Sequence, residues 1–311
     1  MPAIPHMNAL SDVQREYLRS QLRYDHHDDP PPPNTLVVHE RQHALIVGTV
    51  RRFAARQPMH MLDVGCGWGD FSDKLDPSLA SYVGVEPSPV ELRRFHRRPN
   101  RQLVRGVGEC LDFLKDRSRN FILLNSVLDH CFDWRQTLAQ CLRILTPGGL
   151  LIVSMENGQK LTVRLRRWLG LEHVHQGHLA FFGVSEMRAL IEPEFDILEV
   201  RTIGFLFGMH AVTKRIPLPL SLLRAANRAA DAFFRVAAPT GGHIFFLAAR
   251  RKGALPDPAG CVQPFRCARC GADWIYGAGR CESCGANISL NEDGWLDTVA
   301  INETLRAQLD G

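Results

Sequence analysis

Short apolar runs alternate along most of the chain with longer segments in which apolar residues recur at helical spacing. Seven runs have the length and composition of buried strands, at residues 59–64, 81–86, 101–106, 120–126, 149–155, 195–203 and 243–250. Helical patterns separate most of them, at residues 88–98, 133–145, 159–169, 185–192 and 218–236. This alternation predicts an α/β fold with a doubly wound, mostly parallel, seven-stranded sheet.

The two ends of the chain have a different character. A helical pattern over residues 7–27 is followed by four consecutive prolines at 30–33, which predict a stiff extended connector, and by a second helix from about residue 39 to 56. The Pro- and Gly-rich segment after the last strand reads as a linker. We therefore divide the chain into an N-terminal helix with its connector (1–38), a main domain (39–252), a linker (253–264) and a cysteine module with its tail (265–311).

The segment LDVGCGWGDF at residues 62–71 carries the strongest chemical signal of the main domain. A strand runs into Gly65, Gly67 and Gly69, and a helix follows, so the backbone can approach a ligand whose acidic group meets free N–H groups. Glu86 ends the next strand, where a carboxylate can accept hydrogen bonds from ribose hydroxyls. A dinucleotide fingerprint would need glycine where this chain has Asp70, which disfavours a pyrophosphate ligand.

These motifs resemble those of class I S-adenosylmethionine-dependent methyltransferases of the small-molecule type. LDVGCGWGDF resembles the first motif of that family, VGVEPS the second, and GVGECLDF the adenine-binding stretch. The run from the fourth strand through TPGG into the fifth strand, and the segment HQGHLAFFGVSEMRALI, are also similar to family members. The resemblance covers about residues 40–252 and implies a Rossmann-like fold with S-adenosylmethionine as cofactor.

The resemblance also implies which residues contact the cofactor. The three glycines would pass beneath its methionine part, Asp63 would orient the amino end, and Glu86 would hold the ribose. The full set that it implies is Asp63, Gly65, Cys66, Gly67, Gly69, Glu86, Pro87, Gly108, Glu109, Cys110, Asn125 and Ser126. Val107 stands where family members often carry an acid that receives the adenine amino group, so backbone groups are expected to hold the adenine.

Methyl transfer to a hydroxyl requires a base, and histidine is the usual choice near neutral pH. His130 follows the fourth strand, where it either supports the structure or acts directly. His175 and His178 belong to a histidine-rich loop, and each is a candidate base, while His178 could instead anchor that loop. A metal site made from this loop lacks a carboxylate or cysteine at suitable spacing.

The sequence also limits the acceptor. NSVLDH follows the fourth strand where amino-group methylases of nucleic acids carry a proline-rich turn, so a small molecule, lipid precursor or sugar, methylated at oxygen or carbon, is expected instead. Two alternatives are an RNA or protein methyltransferase whose C-terminal cysteine module recognises the target, and a non-catalytic, cofactor-binding scaffold whose module recruits partners. Net charge +4 is too small to indicate a nucleic-acid partner.

Location and surface contacts follow from composition. The chain starts with no basic and apolar leader pattern and has nine cysteines outside any secretory context, so we expect a cytoplasmic protein. The basic amphipathic segment near residues 214–239 fits a substrate-pocket cover, a dimer face or a peripheral contact with an anionic membrane.

The C-terminal module contains two C-x-x-C-G pairs separated by ten residues, which predict a small zinc ribbon. Cys267, Cys270, Cys281 and Cys284 would give four thiolates, which suit a tetrahedral zinc ion, with iron as the alternative. Four protein ligands leave no open position, so the metal is expected to be structural. Residues 261–311 carry four basic and seven acidic residues, which disfavours nucleic acid and favours docking onto the main domain or a protein partner.

Overall fold

The computed structural model describes residues 11–23, 32–55, 57–170, 179–206, 218–254, 261 and 263–301. The strands are β1 Met59–Val64, β2 Leu79–Glu86, β3 Arg101–Arg105, β4 Arg119–Asn125, β5 Leu145–Glu156, β6 Phe195–Ile203, β7 Ile244–Arg251, β8 Gly279–Arg280, β9 Asn287–Ile288 and β10 Leu296–Asp297. The helices are α1 Asp12–Gln21, α2 Pro33–Ala54, α3 Asp70–Leu75, α4 Pro89–Arg94, α5 Trp134–Ile144, α6 Leu161–Trp168, α7 Val184–Ile191, α8 Leu220–Ala237 and α9 Thr298–Ile301.

One twisted sheet forms the centre of the molecule, with strand order β10-β3-β2-β1-β4-β5-β7-β6. Its strands are parallel except β7, which is antiparallel to both β5 and β6. The seven strands of the main domain and the mostly parallel fold class are therefore confirmed. The eighth strand, β10, comes from the C-terminal tail and was not anticipated from the sequence.

Side chains that alternate along the strands build a hydrophobic core on each face of the sheet. Met61 faces a core that α2, α3 and α4 cover, and its neighbour Leu62 faces a second core that α5, α7 and the cysteine module cover. Strand β1 is buried along its whole length, as a central parallel strand with helices on both sides should be.

Local sequence fixes several helix starts. The Ser88 hydroxyl accepts a hydrogen bond from the Glu91 N–H at the start of α4, and the Asp133 carboxylate accepts one from Gln136 at the start of α5. These contacts satisfy backbone donors that have no partner within the helix. Helix α1 begins with a reciprocal capping box between Ser11 and Gln14.

Helix α2 begins at Pro33, before the expected start near residue 39. Proline at the first helical position loses no hydrogen bond and already has a helical φ, so the last proline of the run begins the helix instead of extending the connector. Val37 and Val38 are buried in this first part of α2, which therefore packs with the main domain. A division of the chain after residue 38 would cut through one helix.

Helix α8 packs against α2 through ion pairs. Arg224 binds Glu40 at 2.8 Å, and the Arg41 guanidinium lies 2.7 Å from the buried Asp231 carboxylate. Phe233 and Val236 remain exposed, so a membrane contact of this helix stays a prediction. Among the described helices, none has the length and apolar character needed to cross a bilayer.

The connection from β3 to β4 differs from an ordinary helical crossover. Residues 106–118 contain turns and one isolated bridge but no helix in the structure. The cysteine module packs against this segment: Leu114 pairs with Phe265, and the Lys115 N–H donates to the Pro264 carbonyl at 2.8 Å. The module therefore covers a part of the sheet that a crossover helix would cover in a βαβ unit.

Candidate active site and metal centre

A cleft of about 800 Å³ opens at the carboxyl ends of the parallel strands. Ligands bind to open α/β sheets at this edge because the loops that leave the strands diverge there. Gly65 and Gly67 after β1, Glu86 at the end of β2, residues 106–109 after β3 and Asn125 at the end of β4 line the cleft. Ten of the twelve candidate cofactor residues line this cleft, whereas Gly69 and Cys110 do not.

The glycine turn needs its glycines for two different reasons. Gly65, Gly67 and Gly69 have φ of 70°, 51° and 87°, a region that side chains with a Cβ rarely adopt. A Cβ on Gly65 would lie 2.5 Å from Val127, and one on Gly69 would lie 2.4 Å from Phe95. At Gly67 the nearest atom to such a Cβ is 3.8 Å away, so this glycine leaves open space on the cleft side.

Both carboxylate oxygens of Glu86 are held by backbone donors. The Gly67 N–H donates to Oε2 at 3.0 Å and the Ser88 N–H donates to Oε1 at 2.9 Å. Burial raises the pKa of Glu86 to about 7, against the effect of these two donors. The carboxylate is therefore fixed in one orientation at the cleft wall, ready to accept further hydrogen bonds from a diol.

Asp63 is buried at the end of β1 and accepts a hydrogen bond from the Tyr82 hydroxyl at 2.8 Å. Burial is the main reason that its pKa rises to about 7. The carboxyl group borders the cleft from below, beside the glycine turn. Cys66 turns its thiol inward toward Gly84, so it is the backbone of this residue that faces the ligand space.

The stretch after β3 forms the opposite wall. Gly108 packs so closely on α5 that a Cβ would lie 2.6 Å from Thr137. Glu109 points toward the start of α5, where its Oε1 accepts from the Asp133 N–H at 3.1 Å. One of its two carboxylate oxygens is therefore engaged with the backbone at the start of α5. Pro87 and Cys110 flank this wall.

Asn125 and Ser126 end β4 at the base of the cleft. The Asn125 side-chain oxygen accepts from Gln42 of α2 at 2.8 Å, and Gln42 also donates to the Ser154 hydroxyl at 3.0 Å. Ser126 has a φ of 55°, an uncommon value for a residue with a side chain. Gln42 was missed in the sequence because one buried amide within a long amphipathic helix gives no local signal.

His130 lies in the cleft beside α1. Its Nδ1 forms a hydrogen bond with the Tyr17 hydroxyl, and the two rings are stacked with centroids 6.1 Å apart. Gln14 of the same helix donates to the Phe132 carbonyl at 3.0 Å, so α1 closes over this side of the cleft. The other two candidate bases, His175 and His178, lie outside the described residues.

Polar side chains from distant parts of the chain also line the cleft, beside apolar ones such as Leu18 and Ile244. His39 of α2, Glu156 at the end of β5 and His243 before β7 line the space beyond His130. No motif in the sequence pointed to these side chains, because only the packing of α1, α2 and the strand ends brings them together. They give the cleft hydrogen-bonding groups outside the part that the cofactor motifs line.

The four cysteines of the C-terminal module converge. Their Sγ atoms all lie within 4.8 Å of one another, with 3.7 Å between Cys267 and Cys284 and between Cys270 and Cys281. Tetrahedral zinc with bonds of about 2.3 Å to sulfur requires sulfur atoms about 3.8 Å apart. Two equivalent turns shape the pairs, each closed by a hydrogen bond from the following glycine N–H to the first cysteine carbonyl. The residues therefore fit a metal ion held by four thiolates.

Comparisons with known proteins find relatives of the main domain. A family model described as a methyltransferase domain matches residues 37–193. An uncharacterized methyltransferase of Mycobacterium tuberculosis is 36% identical over 144 residues, which cover 44% of this chain and 55% of that protein. A ubiquinone biosynthesis O-methyltransferase of Rhodopseudomonas palustris is 28% identical over 102 residues, or 32% of this chain and 40% of that protein. The chain thus spans about half the length of the curated relatives it matches, or less.

A solved structure, that of a SAM-dependent methyltransferase from Archaeoglobus fulgidus, has 14% sequence identity to this chain and a TM-score of 0.46. The match covers 67% of this chain and 94% of the other.

Proposed function

Since the chain belongs to the family of S-adenosylmethionine-dependent methyltransferases, we propose that it transfers the methyl group of S-adenosylmethionine to a small-molecule acceptor. The observation that carries the proposal is the oriented Glu86 carboxylate, which faces the same cleft as the left-handed glycine turn. The sulfonium cofactor would supply an activated methyl group, so the main task of the protein is to align the acceptor and exclude water.

The residues divide between the two ligands. Asp63, Glu86, Pro87 and the glycine turn would bind the methionine and ribose parts, while the backbone of residues 108–110 would flank the adenine. Asn125 and Ser126 lie where they would border the methyl group. His130, with Nδ1 bound to Tyr17, is the described candidate for taking a proton from an acceptor hydroxyl.

Three polar side chains of the cleft outside the cofactor motifs favour an acceptor with hydroxyl groups. His39, Glu156 and His243 can hydrogen-bond such an acceptor. The named activity of the Rhodopseudomonas palustris relative, an O-methyltransferase, agrees with transfer to oxygen. A small hydroxylated molecule, a lipid precursor or a sugar therefore fits better than a macromolecule.

For the cysteine cluster we propose a structural zinc ion. Thiolate ligands favour zinc, and a closed set of four leaves no position for a substrate. The aromatic side chains of the module, Phe265 and Trp274, are buried, which argues against their use in recognising RNA or a protein substrate.

The cofactor site is tested by calorimetry with S-adenosylhomocysteine. We expect wild-type protein to bind it and Gly67→Arg to lose binding, because the new side chain would fill the open space beside the turn. Gly170→Arg is the matched control, since Gly170 also has a positive φ and no atom within 4 Å of a built Cβ, but lies at the end of α6. Equal affinity of Gly67→Arg and wild type would exclude the proposed cleft.

The acceptor class is tested by incubating the protein with methyl-labelled cofactor and cell extract separated into small-molecule, RNA and protein fractions. We expect label in the small-molecule fraction. Label in RNA or protein would overturn the proposed acceptor. Tight cofactor binding without label in any fraction would favour a non-catalytic scaffold.

A further inference from the structure

The C-terminal tail forms part of the framework that supports the cofactor cleft. Strand β10 pairs in parallel with β3, with Leu296 opposite Val104 and Asp297 opposite Arg105. Residues 106–109, directly after β3, line the cleft. The cysteine module therefore ends against the strand whose continuation forms the adenine wall.

Thr298 makes a specific contact at the end of that strand. Its hydroxyl donates to the Arg105 carbonyl at 2.8 Å, and the side chain is buried. A Cβ on the next residue, Gly106, would lie 2.4 Å from the Thr298 hydroxyl oxygen. The Gly106 N–H in turn donates to the Glu86 carbonyl at 3.1 Å. One threonine thus fixes the backbone between β3 and the ribose-binding residue.

Arg105 adds a second connection between the tail and the cleft. Its Nη1 lies 3.0 Å from the Asp297 carboxylate, and its Nε donates to the Pro87 carbonyl at 3.4 Å. Pro87 directly follows Glu86 and lines the cleft. The arginine therefore links the end of β10 to the loop after β2.

A small hydrophobic cluster extends this support. Val299 packs with Val107 of the adenine wall and with Leu18 of α1, and all three are buried. Cys110 and Phe132 border the same cluster. The tail consequently contacts the adenine wall from outside and also contacts the helix that closes over the cleft.

We propose that Thr298 and Val299, held in place by the cysteine module and β10, are positioning residues for the adenine wall of the cofactor cleft. They touch no part of the cleft interior themselves and act through Arg105, Gly106 and Val107. The inference rests on the proposed cofactor function, and it assigns the module a part in cofactor affinity in addition to its own folding. The physical reason is that residues 106–118 contain no helix of their own, so their position depends on neighbouring elements, which are α5 on one side and the tail on the other.

The test compares affinities for S-adenosylhomocysteine in the full-length, metal-loaded protein. Thr298→Val keeps the shape but removes the hydroxyl, and we expect the dissociation constant to rise about tenfold. Thr298→Ser retains the donor and should stay within about twofold of wild type. The matched control is Thr146→Val on β5, a buried threonine whose hydroxyl has no hydrogen-bond partner among the described residues and which lies outside the cleft.

Affinities are measured well below the unfolding temperature of each variant, so that general loss of stability does not change them. If Thr298→Val fails to fold, Asp297→Asn removes the ion pair with Arg105 while preserving the side-chain size, and we expect a rise of about fivefold. Wild-type protein that fails to bind the ligand would refute the proposed function. Wild-type binding with unchanged affinity in Thr298→Val, or in its substitute Asp297→Asn, would refute this inference alone.

Discussion

His130 and Tyr17 join two distant parts of the chain within the cleft. The Tyr17 hydroxyl occupies Nδ1 of the histidine, which fixes the orientation of the ring. Helix α1 is further attached by the Gln14 contact with Phe132. A ring held in this way is suited to act through its other nitrogen.

We predict that His130→Asn slows formation of labelled product by about 10²–10⁴-fold if the acceptor loses a proton in the reaction. Affinity for S-adenosylhomocysteine should stay close to that of wild type, because the histidine lies outside the expected cofactor contacts. His96→Asn is the control, as His96 is an exposed residue that binds Asp73 outside the cleft. An unchanged rate in His130→Asn would direct attention to His175 and His178.

Glu109 is buried, and burial is the main cause that raises its pKa to about 7, well above its usual 4.5. A raised pKa means that the folded state binds the proton more tightly than the unfolded state. This carboxyl group therefore stabilises the fold less as pH rises from about 4.5 to 7. Its contact with the start of α5 only partly offsets the cost of the charge.

We therefore predict that the stability of Glu109→Gln increases relative to that of wild type as pH rises. The difference in unfolding free energy between the two proteins should shift toward the variant by on the order of 3 kcal/mol between pH 4.5 and 8. Denaturant unfolding at several pH values measures it, with Glu192→Gln on the exposed end of α7 as a control. A difference that stays constant across this range would show that Glu109 titrates normally.

At the scale of elements, the cysteine module packs against the connection from β3 to β4, where a crossover helix would otherwise cover the sheet. Phe265, Trp274 and Ile288 belong to the same core as β4 and α5, and Trp295 belongs to the core on the other face. The Tyr276 hydroxyl also donates to the Leu103 carbonyl of β3 at 2.7 Å. The module and the main domain thus share buried surface, so a boundary at residue 265 separates sequence patterns and not hydrophobic cores.

Removal of the proposed metal ion should therefore affect the whole molecule. We expect a chelator to lower the unfolding temperature of the full-length protein and to weaken binding of S-adenosylhomocysteine, because a metal-free module cannot hold β10 and Thr298 in place. Thermal unfolding and calorimetry with and without chelator measure both effects, and added zinc should reverse them. Loss of structure in the module alone, with full ligand affinity, would contradict this expectation.

For the whole molecule, periodicity and local motifs predicted a large part of what is observed. The seven strands and the glycine turn depend on neighbouring residues, so their patterns are visible in the sequence. The start of α2 was misplaced because a proline run permits both an extended connector and a helix that begins at its last residue. The sequence of residues 106–118 did not indicate that the C-terminal cysteine module would pack against them.

The sequence by itself determined the α/β fold, the cofactor motifs and the four-cysteine cluster, since each is encoded in strand periodicity or in short, fixed spacings. Only the tertiary structure decided that Tyr17, Gln42 and His243 share the cleft and that β10 extends the sheet beside β3. These contacts join residues far apart in the chain. Their partners are chosen by the packing of whole elements, which no local pattern specifies.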